Sequence, residues 1–417
     1  MTRHSHPADV PQSAPGRNRL GLRPQFINDP TAIDGAAWNA LLARQAAPTP
    51  FMRHEYLAAL HSSGSAVLMT GWSPRFVLLW DGDELAAACP LYVKSHSYGE
   101  YVFDWAWANA YAEHGLAYYP KALIAVPFTP VPGTRLLARD DGARAALLET
   151  IVAWCGEQSL SSLHLLYGSA ADWVACDAAG LMQRQQVQFH WHNGHPAEGR
   201  AFHGFDDFLA SLAQDKRKKI RQERRKVGAA GVTFRWARGA DIAPADWAFF
   251  YRCYERTYLE HGNAPYLTPA FFDAMARDMA DAWVLFIAER DGQPIASSLI
   301  AVGAGPASAG GLNDSQAVAY GRYWGALQRV DCLHFELCYY QPIDWCIRHG
   351  VGRFEGGAQG EHKMARALMP AATHSAHWLA HPAFADAVER FLARESVGIG
   401  DYLQHLDERS PFRRGAG

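Results

Sequence analysis

The chain has 417 residues, of which 49% are hydrophobic, 19% charged and 12% aromatic. At roughly 100–200 residues per domain this length predicts two domains with sizeable cores, and the composition excludes a chain that is mainly disordered, collagenous or disulfide-stapled. Lys plus Arg number 39 against 42 Asp plus Glu, a formal charge of −3, so a polyanionic partner has to be held by a local patch.

The first residues, MTRHSHPADVPQSAPGRNRLGLRP, are rich in Pro, His and Arg and lack the apolar centre of a secretion signal. Residues 1–25 are therefore expected to be a disordered leader. The longest apolar runs, such as Phe76 to Trp80 and Ala122 to Phe128, fall short of the roughly 20 residues that cross a bilayer. Seven cysteines form no CxxC pair, and most sit inside apolar runs (Cys89, Cys155, Cys253, Cys332, Cys338, Cys346), as buried thiols do in a reducing compartment. A cytoplasmic protein is expected.

A repeat sets the architecture. RFVLLWDGDELAAACPLYVK (Arg75 to Lys94) and WVLFIAERDGQPIASSLIAVG (Trp283 to Gly303) each read as two apolar strands around an Asp-Gly turn. Each is followed by a helix running into a short strand, with Trp154-Cys155 and Trp345-Cys346 at the same distance from that strand. The offset between copies is 210 residues at the hairpins and 191 at the helices. The first copy thus carries about 19 more residues, expected among Tyr98 to Thr134. Two α/β domains of one kind follow, over 26–200 and 201–410, with 411–417 as a tail.

The inserted region, Ser97 to Leu137, packs many aromatics with Asp104, Lys121 and Arg135. An aromatic wall with a few directional polar groups suits a sugar, peptide or lipid-linked substrate. Asp104, Trp105, Tyr111, Lys121 and Arg135 are accordingly candidate substrate-binding residues, the plain alternative being a loop that covers the core. Leading the second copy, a helix over 206–227 is expected to bury Leu209, Leu212, Ile220 and Val227 and to end at Gly228 to Gly231. Its residues Asp215 to Lys226 contain eight cations and two anions. Arg217, Arg221 and Arg225 are candidate phosphate ligands, against the reading of an ordinary solvated helix.

The last cluster lies around CYYQPIDWCIRHG and RFEGGAQGEHKMARALMP. Glu336, Tyr339 and Tyr340 mark the start of a helix, and Glu355, Gln359, Glu361, His362 and Lys363 follow the next strand. Gly356, Gly357 and Gly360 let a ligand approach the backbone. A general base needs a pKa near working pH, which His has unperturbed and Glu acquires by burial. His362 or Glu336 is therefore favoured as base, with Glu355 orienting it and Lys363 pairing with an anionic part of a substrate. Nineteen histidines complete no recognised metal site, and no metal is expected.

With its basic KRKKIRQERRKVGAAGV helix and CYYQPIDWCIRHGVGRFEGG segment, the duplicated unit resembles the tandem acetyltransferase-like (GNAT-like) fold of Fem-type peptidoglycan N-acyltransferases. YVFDWAWANAY, YYPKALIAVPFTPVPGTRLL, HFELCYYQPIDWCI and FEGGAQGEHK resemble more closely a bacterial group described as peptidoglycan biosynthesis or recognition proteins. The resemblance implies mixed, mostly antiparallel sheets flanked by helices, a bacterial cytoplasmic setting, and transfer of an acyl or aminoacyl group to an amine, with a cell-wall precursor as acceptor. It implies no tightly bound cofactor, only an acyl donor as co-substrate. The Gln/Arg-x-x-Gly-x-Gly/Ala loop that cradles the pyrophosphate of acyl-CoA is missing from both copies, and PFTPVPGTR has prolines where free N–H groups are needed. Aminoacyl-tRNA on the basic helix is thus preferred to acyl-CoA. A CoA-dependent N-acetyltransferase, or a non-catalytic protein that binds peptidoglycan precursor or RNA, are the alternatives.

Overall fold

The computed structural model describes residues 18–413 except 197, 304–316 and 358–359. The strands are β1 (Arg23–Ile27), β2 (Trp72–Pro74), β3 (Phe76–Asp81), β4 (Glu84–Cys89), β5 (Leu91–Lys94), β6 (Lys121–Ile124), β7 (Leu137–Ala138), β8 (Ser162–Gly168) and β9 (Met182–His192) in the first half. The second half adds β10 (Val232–Arg238), β11 (Trp283–Arg290), β12 (Gln293–Gly303), β13 (Val318–Ala326), β14 (Arg353–Glu355) and β15 (Met369–Leu379). Four of them form a small sheet in the order β1-β3-β4-β7. The other eleven form one sheet in the order β10-β11-β12-β13-β14-β9-β15-β8-β6-β5-β2.

The repeat is visible in this topology. Each half has an antiparallel hairpin, β3/β4 or β11/β12, then a central strand, a helix, and a strand parallel to the central one, β6/β8 and β13/β14. The named strand pairs are otherwise antiparallel. Cys155 and Cys346 are both fully buried on the two equivalent helices. Ser159 (φ 53°) and Gly350 (φ 67°) turn each chain from helix to strand in the left-handed conformation. The 191-residue offset therefore runs on into the strands and makes His164 the counterpart of Glu355 in the repeat. Leu123 pairs with His164 and Tyr320 with Glu355, an offset of 197. Of the 19 extra residues, 13 thus precede β6, where a helix forms over Trp105–Glu113, and six follow it.

The halves do not simply lie side by side. β15, from the second half, is inserted between β8 and β9 of the first, and β9 pairs with β14 so that His190 faces Glu355. One apolar core draws on both halves, with Trp38, Phe51 and Tyr56 packed among Phe250, Tyr254, Trp283 and Tyr320. At roughly 1.5–3 kcal/mol for each large side chain buried, this joint core ties the halves together.

Three expectations change. The segment 206–227 forms two helices, Phe205–Ser211 and Gln214–Ala229, because Leu212 leaves the helix to bridge Phe412; the four apolar residues are nonetheless buried. Residues 1–17 of the expected leader lie outside the described residues, whereas Leu22 is buried and β1 begins at Arg23. Residues 411–413 of the tail pack on 211–213 through Ala213 N–H to Pro411 and Arg413 N–H to Ser211. No helix among the described residues is long and apolar enough to cross a membrane.

Candidate functional site

β13 and β14 pair only over Val318 to Tyr320. β13 then runs on to Ala326 while β14 turns away at Gly356 and Gly357. The gap between them is a cavity of about 380 Å³. Its walls are Gly321 to Trp324, Gly356 and Gly357, with His334, Cys338 and Tyr339 from the following helix and His362 and Lys363 from the turn after β14. Tyr101, Phe128 and Pro130 of the first half close the other side. A Cβ at Gly356 would lie 2.4 Å from Cδ2 of the buried Leu368, which would have to shift to admit it. Gly357 is required by its φ of 79°.

The helix over 333–348 contains a π-helical turn at Glu336–Tyr340, a distortion frequent at functional sites. Ser298 Oγ donates to the Leu337 carbonyl there at 2.6 Å. Cys338 and Tyr339 line the cavity, while Glu336 and Tyr340 reach the basic helix. Arg224 Nε donates to both Glu336 oxygens at 3.1 and 3.2 Å, and Gln341 Nε2 donates to Oε1 at 2.8 Å. Tyr340 donates to Glu223, and Arg366 Nη2 donates to both Glu223 oxygens at 2.9 Å. Arg366 Nη1 also donates to the His362 carbonyl at 2.8 Å and lies 3.6 Å from the Phe335 ring centroid. Through Glu223 and Arg366 the inner face of the basic helix thus holds the turn that carries His362 and Lys363.

The cavity's electrostatics follow from burial and from cations close together. Burial, then Arg366, Lys363 and Lys219, hold the His362 pKa below its ordinary value. Burial, then His362, Arg366 and Lys363, bring His334 down to about 4, and burial brings Lys363 down to about 8, its Nζ donating to the Gly357 carbonyl at 2.8 Å. Both imidazoles are therefore shifted toward the neutral form. Glu355, just before the glycines, is buried, 3.0 Å from Arg353 Nη2 and 3.9 Å from His190 Nε2. Neither of its oxygens accepts a hydrogen bond from the described residues. Burial, only partly offset by Arg353, raises its pKa to about 7.

Of the residues picked out by sequence, His362, Lys363 and Tyr339 line the cavity, with Tyr339 Oη 3.5 Å from His362 Nε2, and Glu355 stands behind it. Glu336 and Tyr340 do not line it, and the Arg224 and Gln341 bonds do not suit Glu336 to the role of a free base. Glu361 turns to the C-terminal helix, accepting from Tyr402 at 2.7 Å; Gln359 lies outside the described residues. The insertion's named residues are placed elsewhere as well. Lys121 Nζ donates to Ser97 and Glu100 at 2.8 Å and to Asp104, all buried. Arg135 is sealed inside, donating to the carbonyls of Leu166 at 3.1 Å, Gly133 at 3.3 Å and Val131. Tyr111 packs on Tyr118 and Phe384, and Trp105 is 37% exposed beside Tyr98. Buried charges need partners, and these found theirs within the fold. On the basic helix Arg221 and Arg225 are exposed and Arg217 is half-buried. Sequence reasoning missed Arg322, Tyr258, Ser298 and the place of Cys338 in the wall; the one signal was a lone arginine inside the apolar strand VAYGRYWGA.

Two hairpin–strand–helix–strand units whose parallel strand pairs share one sheet, with a cavity where the second unit's parallel strands part, define a tandem acetyltransferase-like fold. FemX shares it at a TM-score of 0.51 and 10% identity, over 86% of this chain and 98% of that one. L-PGS from Bacillus licheniformis aligns at 0.49 and 8% identity over 86% and 97% of the two chains. A tandem GNAT protein from the clavulanic acid biosynthesis pathway aligns at 0.43 and 12% over 87% and 99%. By sequence the chain belongs to the FemAB-like family, described as peptidoglycan biosynthesis/recognition, which it matches over residues 29–414. A comparison with curated proteins returns no match.

Proposed function

We propose that the protein is an N-acyltransferase that moves an acyl or aminoacyl group onto an amine of a peptidoglycan precursor in the β13/β14 cavity. The observation that carries this reading is His362, which lines the cavity and whose pKa is held below its ordinary value by partial burial and by the cations around it. In such a transfer the amine nitrogen attacks the donor's carbonyl carbon, the carbon–oxygen or carbon–sulfur bond to the leaving group breaks, and the ammonium proton has to be taken up. A neutral imidazole takes it, and the leaving hydroxyl or thiol receives one in turn. Past Tyr320 the β13 backbone has no β14 partner, so its amides suit the developing oxyanion. Aminoacyl-tRNA is the preferred donor because exposed cations of the basic helix adjoin the turn that holds His362; acyl-CoA is the competing donor.

The test is single-turnover transfer from aminoacyl-tRNA and from acyl-CoA to a muropeptide precursor, for the wild type and His362→Gln. A loss of roughly 10²–10⁴-fold with unchanged melting is expected of a lost base. Full turnover in the variant moves the base to Glu355, and ligand retention without turnover by the wild type would make the protein a binder.

A further inference from the structure

The charged side chains of the cavity wall are all basic. Among the described residues that line it, Arg322, Lys363, His334 and His362 are the ionisable groups apart from tyrosines and Cys338, and no carboxylate joins them. Glu355 stands behind β14 with Arg353 beside it. Arg322 owes its place to a β-bulge: Tyr323 pairs with Leu299 and Gly321 with Ile300, so Arg322 between them has no cross-strand partner. Bulges re-aim side chains in this way. Its Nη2 donates to the Phe128 carbonyl at 2.8 Å, and the rings of Tyr323 and Phe51 flank the guanidinium at 5.0 and 5.3 Å. Its Nε–H is shielded from solvent and meets no acceptor among the described residues. A buried guanidinium N–H without an acceptor is costly, and the chemistry that relieves it is an anionic oxygen.

We propose that Arg322 is the anion-binding residue of this cavity, and that the substrate portion taken there carries a carboxylate or phosphate next to a flat or apolar group. Tyr101, Phe128 and Tyr258 supply the apolar wall. The inference deepens the transferase reading by naming a chemical class for its substrate, and it is measured without turnover.

Isothermal titration of the full chain with alanyl-alanine, alanyl-alanine amide and inorganic phosphate decides it, for the wild type, Arg322→Lys and Arg322→Gln. The free acid should bind the wild type at least about tenfold more tightly than the amide, as a charge-assisted hydrogen bond implies. The gap should shrink in Arg322→Lys and close in Arg322→Gln. Phosphate competing with the dipeptide identifies a phosphate-bearing substrate, and phosphate without competition identifies a carboxylate. Equal binding of acid and amide by the wild type, an undiminished gap in a folded Arg322→Gln, or no binding of any probe at millimolar concentration overturns the proposal. Should Arg322→Gln fail to fold, the wild-type gap and the Arg322→Lys value decide. An intact gap in a protein without transfer activity keeps the site and removes the transferase reading; transfer without the gap does the reverse.

Discussion

The two parallel strand pairs started from one pattern and ended differently. In the first half β6 and β8 pair through Ile124 and Leu165, and Arg135 then covers the end of β8 by bonding to Leu166. His164 is hydrogen-bonded to Tyr118 at 3.0 Å, Ser162 at 2.9 Å and His377 at 2.8 Å. In the second half pairing stops one step earlier, the cavity opens, and Glu355, the counterpart of His164, accepts no hydrogen bond from the described residues. The closed copy also leaves Glu100 Oε1, Asp104 Oδ1, Tyr111 Oη and His377 Nε2 without a hydrogen bond among the described residues, but none of these residues lines the cavity. In the open copy Arg322, with its unpaired Nε–H, lines the cavity, where a ligand can supply the missing acceptor.

The largest test of this contrast breaks the closed copy. Lys121→Met leaves the buried Glu100 and Asp104 without their cation and should cost about 3–5 kcal/mol in denaturant unfolding. A loss below about 1 kcal/mol would mean that the cluster contributes little to closure. Closing the open copy comes next. Gly356→Ala forces a methyl group against Leu368 and should cost about 1–3 kcal/mol, with ligand binding or turnover falling further than the melting point does. Equal binding in that variant would show that the slot has room to spare.

Glu355→Gln gives a smaller effect with a definite sign. The folded-state pKa of Glu355 is raised to about 7, above an unfolded value of about 4.3, so the folded state holds the proton more tightly. Its contribution to stability is fully present below the unfolded pKa and is lost as pH rises toward 7. The melting point of the variant relative to wild type should therefore climb between about pH 4 and 7 and level off above that; a flat difference would show that Glu355 is not held protonated. His164, brought down to about 3 chiefly by burial, acts the other way, its contribution being present above about pH 6.5 and lost as pH falls toward 3. The smallest effect belongs to Arg217, Arg221 and Arg225. Changing all three to Gln should alter stability by no more than about 0.5 kcal/mol while flattening the salt dependence of polyanion binding. An unchanged slope returns this helix face to plain solvation.

Much of the fold was legible because the signals are local. The Asp81-Gly82 and Asp291-Gly292 turns, the matched Trp-Cys pairs and the Phe354-Glu355-Gly356-Gly357 run each specify their own element, and the closing part of the site, His362 and Lys363, follows the glycines directly. What was hidden depends on partners far along the chain. The placing of β15 between β8 and β9 leaves no trace in periodicity. Whether Lys121 or Arg135 serves a ligand or the fold depends on which buried acceptors surround it. Glu336 looked free until the π-helical turn set it against Arg224, and Arg322 acquired its place from one bulge.

The position of β15 also orders events during synthesis. β8 and β9 are complete once His192 has been made, yet the strand that lies between them ends at Leu379. At about 5–20 residues per second the ribosome leaves those two edges open for about nine seconds or more. Unpaired edges invite pairing with other chains. The run Gln183-Arg184-Gln185-Gln186 on β9 keeps the waiting edge hydrophilic, and a nascent chain with so late a closing strand has need of it.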